Sequence, residues 1–360
     1  MTAVDDQPVV IAVDPHKASW TAAVVTAGTL QPLAGLRVGV SREGYRQLRR
    51  FARRWPGARW AIEGATGLGA PLLARLTADD VTVIDVPAKL AARVRTLSTG
   101  HGRKNDDADA VSVAIAAHTA PHLQSVEVDH ALGALRVLVE HRDDLIKART
   151  QTANRLHRLL TELVPAGAGH RRLTPEIASQ LLRRTRPRDP SGRATRRVAV
   201  ELTAELRRLD HRISTAETDV ATAIETTGST LTELYGIGPV LAGKILARVG
   251  PITRFRSEAA FASFTGTAPI EVSSGEVVRH RLSRAGDRGL NHALHMMALT
   301  QLQGRTPGRA YYQRKRAEGK SHKEAMRCLK RRLSDVVYRR LRTDATAAEA
   351  GPGGHARAAA

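Results

Sequence analysis

The chain has 360 residues, and 56 lysines and arginines against 35 acids leave a formal net charge of +21. Hydrophobic residues, at 42%, suffice for a core and exclude wholesale disorder, while so large a positive excess calls for a polyanionic partner, nucleic acid first. A single cysteine, Cys328, excludes a disulfide framework and any cysteine-based zinc site. The length predicts two or three modules. No run approaches the roughly 18 apolar residues of a membrane helix, and Met1 to Gln7 lacks a signal pattern. The expectation is a soluble protein of the cytoplasm, associated with the nucleoid.

From Val9 to about Ala120 short β-rich runs alternate with helical stretches. Val9 to Val13 is continuously apolar, as in a strand buried on both faces. Trp20 to Val25 and Leu36 to Val40 read as two more strands, and Gly44 to Arg54 as a basic amphipathic helix closed by Pro56-Gly57. Trp60 to Ile62 is a fourth strand, Gly69 to Leu76 a helix, and Val81 to Val86 a fifth strand. Pro87 to Leu97 and Asp106 to His118 are helical. A meander followed by strand–helix alternation predicts an α/β domain with a mixed sheet over residues 1–125.

The middle, residues 126–228, carries Leu135, Leu138, Leu145, Leu156, Leu159 and Leu163 at three-and-four spacing, with Arg142, Arg149 and Thr152 in the remaining seam positions. After a Pro/Arg-rich break (Arg184 to Arg193), Leu202, Leu206, Leu209, Ile213, Ala216, Val220 and Ala223 continue the pattern. Two such helices form a coiled-coil arm, hairpinned on itself or paired with another subunit, or else a buried helix pair in a globular domain. Residues 229–342 read as a helical, Arg-rich module with a β-like insert at Ile270 to Val278. From Thr343 to the end, 343–360, the Ala/Gly-rich composition predicts a disordered tail.

Acids are scarce, so those at strand ends stand out. Asp14 follows the first strand, Glu63 follows the fourth, and Asp106 and Asp109 share one face of the helix they open, with Asp107 pointing elsewhere. Four carboxylates from two strands and a helix suit two Mg²⁺ ions, hard cations that take oxygen ligands and assist phosphoryl transfer. Singly, each acid is equally explained as a turn residue, a surface acid or a helix-start acid favoured by the macrodipole. His16, His101 and His118 are scattered and read as structural or solvent-facing.

In the C-terminal module Leu234 to Ala242 reads as helix, Gly-rich turn, helix, where Gly236 and Gly238 let the backbone approach a phosphate; a tight helix–helix turn is the plainer alternative. Ser273-Ser274-Gly275 between two β-rich runs is, on its residues alone, a hairpin turn. Arg279, Arg281, Arg284 and Arg288 follow it, able to hold a phosphate through bidentate contacts or simply to form a solvated basic face. Only 3% of the chain is aromatic, which disfavours recognition by base stacking and favours backbone contact and shape reading.

Val13-Asp14-Pro15-His16-Lys17, Ile62-Glu63-Gly64-Ala65-Thr66-Gly67 and Lys104-Asn105-Asp106-Asp107-Ala108-Asp109-Ala110 together resemble the N-terminal domain of DEDD-type insertion-sequence transposases of the IS-one-ten family, relatives of the Piv-type invertases. That family's usual third motif is Lys-Thr-Asp-x-x-Asp-Ala, so Asn105 departs from it. The resemblance implies a RuvC-like domain of RNase H fold, with Asp14, Glu63, Asp106 and Asp109 as Mg²⁺ ligands. It extends to Pro269, Ser274-Gly275 and Arg284-Ala285-Gly286-Asp287-Arg288-Gly289-Leu290. Within it Ser274, with Ser273 its neighbour, is the nucleophile that becomes covalently joined to DNA. The family commonly has a basic residue where this chain has Gly289, and Arg288 is the nearest substitute.

The resemblance implies a transposase and site-specific recombinase, assembled from dimers into a tetramer and guided by a noncoding bridge RNA that pairs with element ends and target DNA. Two other readings compete: a metal-dependent junction nuclease cutting by activated water, and a non-enzymatic nucleic-acid-binding protein in which the carboxylates are caps and turns.

Overall fold

The computed structural model describes residues 8–99, 106–121, 123–126, 128–165, 173–274, 277–282 and 286–350, with the side chains of 98, 99, 271–282 and 349 outside the description. The chain divides into two units, 1–129 and 130–360.

In the first unit β1 (Val9–Pro15), β2 (Ser19–Thr26) and β3 (Pro32–Gly39) form an antiparallel meander, followed by α1 (Arg42–Ala52). Next come β4 (Arg59–Glu63), α2 (Ala70–Ala78), β5 (Val83–Val86), α3 (Ala88–Thr99), α4 (Asp106–Thr119) and the short β6 (Ser125–Val126). The sheet order is β3-β2-β1-β4-β5-β6, with β4 parallel to both β1 and β5. The mixed sheet expected from the sequence is therefore present. Its third strand starts at Pro32, earlier than the apolar run at Leu36, because pairing with β2 carries the chain through Ala34 and Gly35.

The strand periodicity of two decides what each face covers. Ile11 and Val13, with Trp60 and Ile62, bury against Leu48 and Ala52 of α1 and Leu72, Leu73 and Leu76 of α2. Val10 and Ala12, with Ala61 and Val86, bury against Ala91 of α3 and Val113, Ala114 and Ala117 of α4. Both faces of β1 are covered, hence its uninterrupted apolar run.

The second unit begins with α5 (His130–Leu163), α6 (Pro175–Arg184) and α7 (Pro190–Glu225). Helices α5 and α7 run antiparallel as a long hairpin. Leu145 meets Leu209, Ile213 and Ala216, and farther along, Leu156, Leu159 and Leu160 close over α6 and Leu206. The seam arginines are matched within the hairpin: Arg142 Nε donates to Glu217 at 3.1 Å, and Arg149 pairs with Asp210.

At the other end Leu135, Val139, Val220 and Ile224 join the core formed by α8 (Pro239–Val249), α9 (Glu258–Phe264), α10 (Arg288–Gln303) and α12 (His322–Ala350). Between these lie the hairpin β7 (Pro269–Ser274) and β8 (Val277–Leu282), and α11 (Pro307–Ala317). Helices α5 and α7 thus share a unit and a core with the C-terminal helices. Helix α12 continues to Ala350, past the tail boundary suggested at Thr343, because an Ala-rich segment is strongly helix-forming. Ahead of Gly236 the chain forms only a 3₁₀ turn, Leu231–Glu233, where the sequence suggested a helix.

Ser41 caps α1 by accepting from Gly44 N at 2.9 Å. A Cβ on Gly44 would lie 2.0 Å from the Gly39 carbonyl oxygen, so β3 and α1 meet backbone to backbone there. Replacing a helical glycine by alanine ordinarily stabilises by up to about 1 kcal/mol. Here Gly44→Ala is expected to destabilise by about 1–3 kcal/mol as overpacking, read as a lowered Tm. A Tm at or above wild type would show that the two backbones are not in contact.

Candidate active site

Asp14 and Glu63 sit at the carboxyl ends of the neighbouring parallel strands β1 and β4, one residue beyond the Val13–Ile62 register pair. Asp14 has the parity of Val10 and Ala12, and Glu63 that of Ala61, so both carboxylates face α3 and α4 rather than α1 and α2. The turn after β4 is fixed on three sides. Gly64 adopts a φ of 56°, its N–H donates to Val86 O at 3.1 Å, and Ala65 N–H donates to Asp85 Oδ1 at 2.8 Å. Helix α4 begins at Asp106 and brings Asp109, 5% exposed, beneath the same strand ends.

The carboxylates are crowded and only partly compensated. Burial raises the Asp14 carboxyl above its ordinary value; His16 opposes this, and Asp109 and Asp106 add to it. Burial, then the charges of Asp14 and Asp109, push Glu63 up to about 7. Arg95 of α3 pairs with Asp109, and Arg37 of β3 with Asp106 at 2.7 Å. His16 Nε2 lies 3.2 Å from Asp14 Oδ2 and 3.4 Å from Asp106 Oδ1.

Thr21 Oγ1 is buried and has no hydrogen-bond partner among the described residues. Thr21 is the cross-strand partner of Asp14, so this unsatisfied hydroxyl flanks the same carboxylate as His16. No three His, Cys, Asp or Glu side chains among the described residues are gathered closely enough to hold a metal ion. Asp106 and Asp109 are instead turned toward arginines.

The structure thus brings Asp14, Glu63 and Asp109 into one electrostatic cluster, with Asp106 at its edge. His16, read from the sequence as scattered, stands between two of the acids. Arg37 and Arg95 carried no sequence signal, since their partners lie far along the chain. His118 is structural, as expected: its Nε2 is 2.9 Å from Val25 O. Lys104, Asn105 and His101 lie outside the described residues.

In the second unit Ser273 and Ser274 end β7, paired in register with Val278 and Val277; their side chains, and those of Arg279 and Arg281, are outside the description, as is all of Arg284. At the foot of the hairpin two glycines touch. A Cβ on Gly286 would lie 2.3 Å from Gly266 Cα. Asn291 Nδ2 donates to Thr265 O and Gly266 O at 3.0 Å each, and Asp287 N–H donates to Phe264 O at 2.7 Å.

Arg288 opens α10 and is exposed. A Cβ on Gly289 would fall 2.3 Å from the Arg248 guanidinium carbon. Arg248, which also meets Asp287 at 3.1 Å, therefore brings a cation from α8 to the position where Gly289 lacks one. Gly236, φ 91°, is enclosed by Met297 and Thr300 of α10, whereas Gly238 at the start of α8 is open.

Residues 11–165 match the DEDD transposase model of IS110 elements, and residues 228–313 match the model "Transposase IS116/IS110/IS902 family"; together they take in about two thirds of the chain. The IS116 protein of Streptomyces clavuligerus is 28% identical over 81% of this chain and 84% of its own length. The IS110 protein of Streptomyces coelicolor is 29% identical over 71% and 75%.

The chain belongs to the IS110/IS116 family of DEDD transposases. It is a DNA transposase, an enzyme that acts on DNA. A putative transposase of the IS117 mini-circle of Streptomyces coelicolor is similar at 28% identity over 79% of this chain and 80% of its own. Among solved structures, Thermus thermophilus RuvC with a Holliday junction substrate is 17% identical, covering 33% of this transposase and 99% of the RuvC chain, with a TM-score of 0.27. No helix among the described residues of the transposase is long and apolar enough to cross a membrane.

A raised carboxyl value means the folded protein favours neutral Glu63. Its contribution to stability is complete below about 4.5, its ordinary value, and is lost as pH rises through about 7. Glu63→Gln, measured with chelator present, should therefore raise the Tm by a few degrees at pH 8, and the gain should shrink toward pH 5. Equal Tm values at pH 8 would show that Glu63 is not held in a crowded, desolvated site. Gly286→Ala should free the foot of the β7–β8 hairpin and accelerate tryptic cleavage between Arg279 and Arg284. An unchanged cleavage rate would separate the glycine contact from hairpin anchoring.

Proposed function

We propose that this transposase cuts and rejoins DNA with two sets of residues: a divalent-metal site of Asp14, Glu63, Asp106 and Asp109, and a serine nucleophile, Ser274. The observation that carries the first is the convergence of Asp14 and Glu63 on the face covered by α4, beside Asp109. The donor set is entirely carboxylate oxygen, which fits a hard cation such as Mg²⁺. The unsatisfied Thr21 hydroxyl beside Asp14 fits a site meant to hold more than protein.

Bound there, Mg²⁺ would stabilise charge on the phosphoryl oxygens and the leaving oxygen. Asp109 and Asp106 would first have to release Arg95, Arg37 and His16. The freed cations would then lie next to an anionic strand. Ser274 Oγ attacks the phosphorus as its proton departs; the bond to a deoxyribose oxygen breaks, and that oxygen leaves protonated. A strand hydroxyl reverses these steps and reseals the backbone.

Support for Ser274 is the family membership together with its place at the tip of a hairpin anchored through Gly266, Gly286 and Asn291. Arg248, Arg279, Arg281, Arg284 and Arg288 would offset the phosphate's charge. Gly238 and the start of α8 would hold a DNA backbone as half of a helix-hairpin-helix. The α5–α7 hairpin would join copies into a dimer or tetramer as a coiled-coil arm, a noncoding guide RNA would supply target choice, and the protein would work in the cytoplasm on nucleoid DNA.

The test is incubation of the transposase with element-end DNA, its flanking transcript and Mg²⁺, followed by denaturation. A covalent protein–DNA adduct is expected for wild type and absent for Ser274→Ala, while Asp14→Asn lowers strand cleavage by about 100-fold or more, the scale on which one preorganised group acts. Mg²⁺-dependent cutting by Ser274→Ala at the wild-type rate would instead establish attack by activated water.

A further inference from the structure

The face of the first unit's sheet opposite the carboxylates carries a second concentration of charge. Helix α1 and its C-cap residue place arginines at positions 46, 49, 50 and 53, spaced i, i+3, i+4 and i+7, so they form one stripe. Between this stripe and the segment 55–58 lies a cavity of 540 Å³, with Trp55 on its rim and Trp60, 5% exposed, in its wall. Tyr45, Phe51, Trp55 and Trp60 are four of only twelve aromatic residues in the whole chain.

The cavity's acid is already matched. Asp79 lies 3.2 Å from Arg49 Nε and accepts from Tyr45 Oη at 2.7 Å. Arg46 meets Glu43 at 3.2 Å on the exposed surface. Arg50 and Arg53 are exposed and have no ion pair among the described residues. The pairs Arg46–Arg50 and Arg49–Arg53 are like charges one turn apart, an arrangement that costs an isolated helix stability. An anionic partner removes that cost.

The Trp55 ring is held in place by its neighbours. Phe51 and Trp55 meet edge to face at 5.1 Å between centroids, and the Arg54 guanidinium stacks 4.7 Å from the Trp55 centroid. Trp55, with Tyr45 and Trp60, lines the cavity together with Arg46, Arg49, Arg50 and Arg53. Phosphates without bases would need only the stripe. A duplex keeps its base faces stacked away from any such cavity.

We propose that this cavity is a docking site for single-stranded nucleic acid. Phosphodiester groups lie on Arg46, Arg50 and Arg53, and one unstacked base enters against Trp55. The sheet separates the site from Asp14 and Glu63, so its binding needs neither the metal chemistry nor Ser274. The local gathering of aromatic residues overrides the low aromatic content of the chain as a guide to how nucleic acid is held.

The experiment is fluorescence anisotropy of the full-length protein in chelator, using labelled oligo-dT, oligo-U and a DNA duplex across a range of salt. For single strands, replacing both Arg50→Gln and Arg53→Gln should reduce the slope of log K against log salt by about 1.4, two phosphates at ~0.7 each. Trp55→Leu should leave that slope unchanged and weaken single-strand binding by about 5- to 150-fold, the loss of one stacked base. Its duplex affinity should stay within about twofold of wild type.

Preference between oligo-dT and oligo-U identifies the source of the strand. Photo-cross-linking of a 5-iodouracil oligonucleotide to the unaltered protein should label the tryptic peptide Trp55–Arg59, and this arm holds even where a variant fails to fold. Single-strand affinity and slope unchanged in both variants, equal losses for duplex and single strand, or cross-links confined to other peptides would each overturn the proposal. Displacement of the oligonucleotide by an acidic peptide at equal concentration would do the same. The assay runs in chelator and reads binding alone, which keeps this result separate from the fate of the proposed catalytic site.

Discussion

Two carboxylates at the ends of adjacent parallel strands, with a third rising from a helix beneath them, cannot all stay ionised in a desolvated corner without nearby positive charge. Asp14, Glu63 and Asp109 are held in that position by the most buried part of the chain. The strands cannot slip by one residue without turning Ile11 and Val13 away from α1 and α2. The apolar core therefore forces the acids together, and the acids in turn determine what must surround them. Arg95, Arg37 and His16 meet that demand in the protein alone. Burial and crowding raise the Asp14 and Glu63 carboxyls, so holding both ionised there is a cost to folding.

The second unit answers a different constraint. A helix of 34 residues and another of 36 must bury long apolar seams, and the seam positions at 142 and 149 are arginines. Placing Glu217 and Asp210 opposite them lets α5 and α7 close on each other, while Leu135, Val139, Val220 and Ile224 tie the hairpin to the C-terminal core. The same core supports the foot of the β7–β8 hairpin. There backbone meets backbone at Gly266 and Gly286, and Asn291 donates to the carbonyls of Thr265 and Gly266.

Much of the architecture was legible in the sequence. The Val9–Val13 run, the acids that follow two strands, the leucine spacing of the arm and the β-rich insert all announced their elements, because hydrophobic periodicity is a local property. Family resemblance in the same motifs pointed to the transposase. Aromatic content averaged over the chain does not show where the rings lie, and Tyr45, Phe51, Trp55 and Trp60 gather at α1 and β4. The Ala-rich end was read as a tail, although alanine supports α12 as far as Ala350.

By itself the sequence determined the order of strands and helices, the excess of positive charge, and which acids stand at strand ends. These depend on neighbours a few residues apart. Only the tertiary structure decided that Asp14 and Glu63 share a face with Asp109, that Arg95 and Arg37 balance them, and that Arg248 fills the place beside Gly289. An uninterrupted apolar strand does not reveal which residues point to which helix layer, and an arginine carries no mark of its partner. Both are settled only when sheet register and helix packing bring distant segments within a few ångströms.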